Sequence, residues 1–222
     1  MSITLLITLI LDYVYSLYFC LKVFAFKDAI KVPINISRNV KIGSVYHGCI
    51  VLPHPIRHNM LFLGHQGYDA IAETQGLIHI SPGGKVIVEG NARLGQGVRL
   101  WIDSGATLRL GDNFYCNKNC LLRVYDDVTF GRDVLMGWNI EVNTTDGHTL
   151  ILKDQEKENH ASVLIGNHVW IASNVTITKG AELPNDCVVA GNTLVNSKFL
   201  ESKTLIGGIP AKILKRDISW RI

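Results

Sequence analysis

The sequence predicts an all-β solenoid built as a prism of stacked triangular coils. A six-residue aliphatic period, a second row of modest side chains, and turn-compatible residues beside the period predict it. Read from Ile165 in steps of six, the chain gives Ile165, Ile171, Ile177, Leu183, Val189 and Val195. Their followers are Gly166, Ala172, Thr178, Pro184, Ala190 and Asn196, and four places after the first five stand Val169, Val175, Ala181, Cys187 and Thr193. A helix repeats near 3.6 residues and a half-buried strand at two, so neither produces six. One short strand plus one turn does. Three such units close a triangle with the aliphatic side chain inward, and coils stacked at about 4.8 Å pair their backbones with the coils above and below. Gly, Asn and Asp suit corners because they tolerate positive φ.

The elements follow in chain order. Residues 1–27 read as an apolar helix: from Ile3 to Phe26 only Asp12 and Lys22 are charged, and Tyr13, Tyr15, Tyr18, Phe19, Phe24 and Phe26 crowd its second half. Met-Ser-Ile-Thr offers no basic region for a cleaved signal peptide. Three readings stay open: a helix packed on its own body, an interfacial membrane helix, or a span burdened by Asp12 at about 2.5–3.5 kcal/mol. Residues 28–76 read as an N-terminal β cap, with β-like pieces at Val40–Ile42 and Cys49–Leu52 around a Pro/His-rich stretch. Coils are expected over 77–198. Val88, Leu94 and Leu100 keep the step, as do Leu110, Cys116 and Leu122, and a slip of two residues restarts it at Phe130, Met136 and Val142. Residues 149–162 loop out. Residues 199–222 read as a C-terminal cap, since an open last coil exposes unpaired backbone.

Composition narrows the function classes. With 47% hydrophobic and 18% charged residues, the chain of 222 residues is a folded protein with a substantial core. A formal charge of +3 implies no nucleic-acid partner. Five cysteines without a CxxC pair or metal spacing argue against a disulfide framework and fit a reducing cytoplasm. Among the histidines, His54 and His58 have i, i+4 spacing, but Pro55 keeps them off one helix, and His168 occupies a polar corner position.

Three segments in order, Asp146-Gly147-His148, Ile165 to Ala172 with Val169-Trp170-Ile171-Ala172 at its end, and Gly208-Ile209-Pro210-Ala211-Lys212, accompany the repeat. With them, residues 77–220 resemble the hexapeptide-repeat acetyltransferases, and look closest to sugar O-acetyltransferases of polysaccharide biosynthesis. The resemblance implies a left-handed β-helix, acetyl-CoA as cosubstrate, no metal, and a homotrimer with cofactor grooves between adjacent prisms. It implies a sugar or glycan acceptor and a cytoplasmic site, at the inner face of the membrane if residues 3–26 make a peripheral contact. An amine or antibiotic acceptor and a non-catalytic β-helix scaffold are the alternatives. A zinc site on the same coils would need three histidines that His148 and His168 do not supply.

Within that resemblance each residue has an expected role. Six steps from Val142 lands on His148, where the register breaks. A neutral imidazole there suits a general base taking the proton of an attacking hydroxyl. Asp146 is expected to orient the ring or the acceptor, or to bond its own turn. Trp170 aligns with a tryptophan that packs on the pantetheine arm, and Ser173, Gly191 and Asn196 line the cofactor groove. A backbone N–H, of Ala172 or Ser173, is the expected oxyanion donor. The family commonly has Gly where Ala172 stands. Lys212 and Lys215, joined by Arg216, match positions that meet CoA phosphates. Asn119 and Asp126 resemble polar positions that bond sugar hydroxyls. Trp138 offers either a face for a sugar ring or a contact with a neighbouring subunit.

Overall fold

A computed structural model describes residues 3–65, 67–72 and 74–221. Three parallel sheets form the faces of a prism. The first face stacks Ile34–Ile36, Leu61–Leu63, Ala92–Leu94, Phe114–Cys116, Leu135–Met136, Trp170–Ile171, Val188–Val189 and Leu205–Gly207, and Lys212–Lys215 closes it antiparallel. The second stacks Val40–Ile42, Gly76–Ile80, Arg99–Ile102, Leu121–Val124, Glu141–Asn143, Thr176–Thr178 and Leu194–Val195. The third stacks Ile50–Val51, Lys85–Val88, Thr107–Leu110, Val128–Phe130, Val163–Ile165 and Glu182–Leu183. The chain visits the faces in that order, coil after coil.

The core is the inward half of the hexapeptide. Ile165, Ile171, Ile177, Leu183, Val189 and Val195 are buried, and so are Val169, Val175, Ala181, Cys187 and Thr193. Full burial of an aliphatic side chain stabilises by about 1.5–3 kcal/mol, and here it recurs on every face. Corner chemistry recurs as well. Where the first face turns into the second, Asn119, Asn139, Asn174 and Asn192 have positive φ. Where the third turns into the first, Asn113, Asp133, His168 and Asp186 do. Short polar side chains adopt this region most readily after glycine. Asn139 Nδ2 also donates to Asn174 Oδ1 across coils (3.1 Å).

The prism starts earlier than the period suggests. Strands within 34–63 are the first members of the same three faces, so residues 28–76 form coils where a separate cap was expected. The period fails to show it because the chain leaves Leu63 and rejoins at Gly76 through a long loop. Helix α1 (Ile3–Val23) closes the open edge of the first coil. Ser16 Oγ accepts the Ile36 N–H (3.0 Å), Tyr15 Oη donates to Val40 O (2.9 Å), and Phe19, Cys20 and Val23 are buried. A short helix, α2 (Phe26–Ala29), follows. Among the described residues no helix is long and apolar enough to cross a membrane. At the other end Trp220 stacks on His168 (4.3 Å) and donates to its carbonyl (3.0 Å). His168 therefore anchors the C-terminal tail, with Asp186 on its Nδ1 (2.8 Å), instead of standing as a merely solvated corner.

Candidate active site

The expected site residues fall on two different corners. Asn119, Ala172, Ser173 and Gly191 lie where the first face turns into the second, with Trp170 on the strand leading in. Asp126, Asp146, His148 and Asn196 lie where the second turns into the third. Lys212 and Lys215 lie on the closing strand of the first face, both exposed, and Arg216 pairs with Glu201 (2.9 Å). One prism side separates the two groups. A single chain does not bring them together.

The first corner holds a groove. A cavity of about 360 Å³ is lined by Tyr115, Asn117, Met136, Trp138, Trp170 and Ser173, among others. Residues 67–72 touch the first coil of this corner beside it. Tyr68 stacks on Trp138 (5.7 Å) and its N–H donates to Asn117 Oδ1 (2.9 Å), while Lys118 Nζ donates to Ile71 O (3.2 Å). Trp138 thus has a ring partner within its own chain. Asn119 is committed too: its Nδ2 donates to Ala72 O (3.0 Å), and its Oδ1 accepts from Thr74 Oγ1 (2.8 Å).

The N–H groups of this corner differ in one respect. Ala172 N–H donates to Val189 O (2.9 Å) as part of the coil ladder, which removes it as an oxyanion donor. One position lower in the stack, Trp138 N–H donates to Ser173 Oγ (3.3 Å) of the next coil. Ser173 N–H faces the equivalent position of the coil above, where Gly191 has no side chain to offer. Among the described residues it donates to nothing. An unpaired donor on a groove wall is costly unless solvent or a ligand accepts it.

At the second corner the chain leaves the coil after Asn143 and returns at Val163. Between them Leu150–Leu152 and Gln155–Lys157 form an antiparallel hairpin. His148 stands at its outgoing base, exposed, and its ring has no hydrogen-bond or ion-pair partner among the described residues. Asp146 does not reach it; its Oδ2 pairs with Lys179 Nζ (2.8 Å), one coil on. Asp126 accepts from Ser162 Oγ (2.6 Å) and His160 Nδ1 (2.9 Å), and those contacts, Ser162 foremost, hold its carboxyl below the usual carboxylate range. It fastens the return of the hairpin. His160, also paired through Nε2 with Glu158 (3.0 Å), was missed because no period or motif marks it. Asn196 is exposed on this corner, away from the groove. Among the described residues no group of three or more His, Cys, Asp or Glu is placed to hold a metal ion.

A parallel β-helix with left-handed coils defines the class. In overall fold the chain superposes on the polySia-specific acetyltransferase NeuO with a TM-score of 0.54 at 18% identity, over 90% of this chain and 83% of that one. By sequence it is 31% identical over 145 residues to an uncharacterized 24.8 kDa protein in the cps region of Klebsiella pneumoniae, covering 65% of this chain and 64% of that protein. It is 29% identical over 136 residues to a putative lipopolysaccharide biosynthesis O-acetyl transferase, WbbJ, of Escherichia coli, covering 57% and 69%. The chain thus spans about two thirds of the length of these relatives. No family model matches. Named O-acetyltransferases, of galactosides and of polysialic acid, are also among the relatives it matches.

Proposed function

We propose that the protein transfers an acetyl group from acetyl-CoA to a hydroxyl of a sugar or polysaccharide, working in the cytoplasm as a homotrimer. The unclaimed N–H of Ser173, on a groove wall beside Trp170, carries the reading. His148 takes the acceptor's proton as its oxygen attacks the thioester carbonyl, and returns a proton to the departing thiolate. Ser173 N–H stabilises the charge that develops on the carbonyl oxygen. Gly191 keeps that N–H free.

The groove fits the donor chemically: Trp170 offers an apolar wall for the pantetheine arm, and Lys212 and Lys215 offer mobile ammonium groups to its phosphates. His148 and the groove lie on different corners of one prism, so each complete site needs the groove corner of one subunit and the His148 corner of its neighbour. A ring of three closes that arrangement. Asp146, held by Lys179, positions the turn from which His148 projects. Residues 3–26 give the trimer a peripheral contact with the inner face of the membrane.

The test is release of free CoA from acetyl-CoA in the presence of sugar or glycan acceptors. Acceptor-dependent release that disappears in His148→Ala supports the reading. Undiminished release in that variant overturns the mechanism, and failure to bind CoA at all leaves a β-helix scaffold.

A further inference from the structure

We infer that Tyr68 and Trp138 form an aromatic ledge for the sugar residue next to the one acetylated, so that residues 67–72 select a saccharide chain over a free monosaccharide. This rests on the acetyl-transfer reading above and names the acceptor class of that same site. In that reading the donor runs from Ser173 toward Lys212 and Lys215, whose strand closes the first face at its C-terminal end. The acceptor then comes from the N-terminal side. There the stack continues with Trp138, whose N–H meets Ser173 Oγ, and with Asn117 one coil further on. From Ser173 to Asn117 is two coil spacings, about 10 Å. That is room for a pair of linked pyranose rings.

Residues 67–72 are built onto the Asn117 coil. Asn117 Oδ1 accepts the Tyr68 N–H (2.9 Å), Lys118 Nζ donates to Ile71 O (3.2 Å), and Asn119 Nδ2 donates to Ala72 O (3.0 Å). Three consecutive corner side chains thus hold one stretch of backbone. Lys118 is only 5% exposed. Burying an ammonium group is costly without a partner, and here the partner is the loop. Gly67 (φ 132°) lets the two approach: a Cβ there would stand 2.3 Å from Lys118 Cγ. The Ile71 N–H donates to Tyr68 O (3.0 Å), which closes a turn. All this anchoring leaves a large ring outside. Tyr68 is 56% exposed, and its ring stacks on the half-buried Trp138 at 5.7 Å and 20°. Trp138 lines the cavity, and Tyr68 continues that wall toward solvent. Such a pair offers flat apolar surface with a polar edge, which matches the C–H face and hydroxyl rim of a pyranose. Asp69, exposed beside Tyr68, offers a carboxylate to those hydroxyls.

The experiment measures binding of the fluorescently labelled full chain, without acetyl-CoA, to an array of neutral, amino and acidic sugars. Each sugar is displayed as monosaccharide and as tetrasaccharide. For at least one sugar the wild type should prefer the tetrasaccharide, and Tyr68→Ala should shrink that preference about fivefold. Tyr68→Phe keeps the ring and should keep the preference. Tyr68→Leu keeps apolar bulk without a ring, and decides the matter if the alanine variant melts early. In acceptor kinetics, Tyr68→Ala should raise the KM for that tetrasaccharide far more than it moves kcat or the KM for acetyl-CoA. No chain preference in the wild type, a preference unmoved in the alanine and leucine variants, or equal loss in Tyr68→Phe overturns the inference. So does loss of the oligomer in Tyr68→Ala, since the ledge would then be a subunit contact. Chain binding that depends on Tyr68 without any release of CoA condemns the acetyl-transfer reading and leaves the ledge standing. Acceptor-dependent release that ignores Tyr68 condemns the ledge alone.

Discussion

The two working corners of the prism obey different rules. At the groove corner the spacing is fixed: from Leu94 onward, inward residues on the first and second faces are six apart, as Leu94 and Leu100, Met136 and Val142, Ile171 and Ile177 are. At the other corner the spacing varies. Leu100 is followed by Leu110, Leu122 by Phe130, Val142 by Ile165 and Ile177 by Leu183, yet all of these stack in register. Strict spacing aligns backbone groups from coil to coil, which is how a missing side chain at Gly191 can leave one N–H open. Variable spacing lets chain escape without disturbing the ladder, which is how His148 comes to project.

The largest expected effect comes from His148→Ala. Loss of a general base should lower kcat by about 10²–10⁴. The thermal midpoint should stay put, since among the described residues the ring has no partner to lose. Gly191→Ser tests the opposite corner. A hydroxyl there should accept the Ser173 N–H as Ser173 Oγ accepts that of Trp138, lowering kcat by about 10²–10³ with little change in binding of CoA. Unaltered kcat would show that Ser173 N–H is not the oxyanion donor. Mixing these two inactive variants before assembly asks whether the corners meet across subunits. Random trimers should regain about a quarter of wild-type sites, whereas no recovery would place both groups in one chain.

Smaller effects sharpen the contrast. Lys212→Ala/Lys215→Ala should raise the KM for acetyl-CoA several-fold and leave kcat nearly unchanged, because exposed ammonium groups add only modest binding energy. Asp126 provides a pH readout for the variable corner. Its carboxyl is held below the ordinary value, so its contribution is complete above about pH 4 and is lost as pH falls through the lowered pKa. Amide exchange at residues 158–163 should therefore quicken in acid before the strands of the prism do.

Legibility in the sequence tracks the same division. Wherever six-step spacing held, both inward rows could be named, and the members of those rows between Ile165 and Val195 are buried in the structure. It failed over residues 28–76, where the loop between Leu63 and Gly76 breaks the count although the strands on either side are ordinary coil members. His148 was legible as a polar residue in an aliphatic slot. The partners of Asp146, Asp126 and Asn119 were not, because stacking puts each beside residues 33 to 47 positions away. A motif describes neighbours along the chain. In a solenoid half of a residue's neighbours belong to other turns.

The hairpin at the variable corner has an evolutionary consequence. Because the coil re-enters in register whatever the length of the detour, an insertion there need only meet the entropy of closing a longer loop. Each doubling of length costs about 0.6 kcal/mol. The surface around His148 can therefore diversify by insertion and deletion, while the periodic corner keeps its shape.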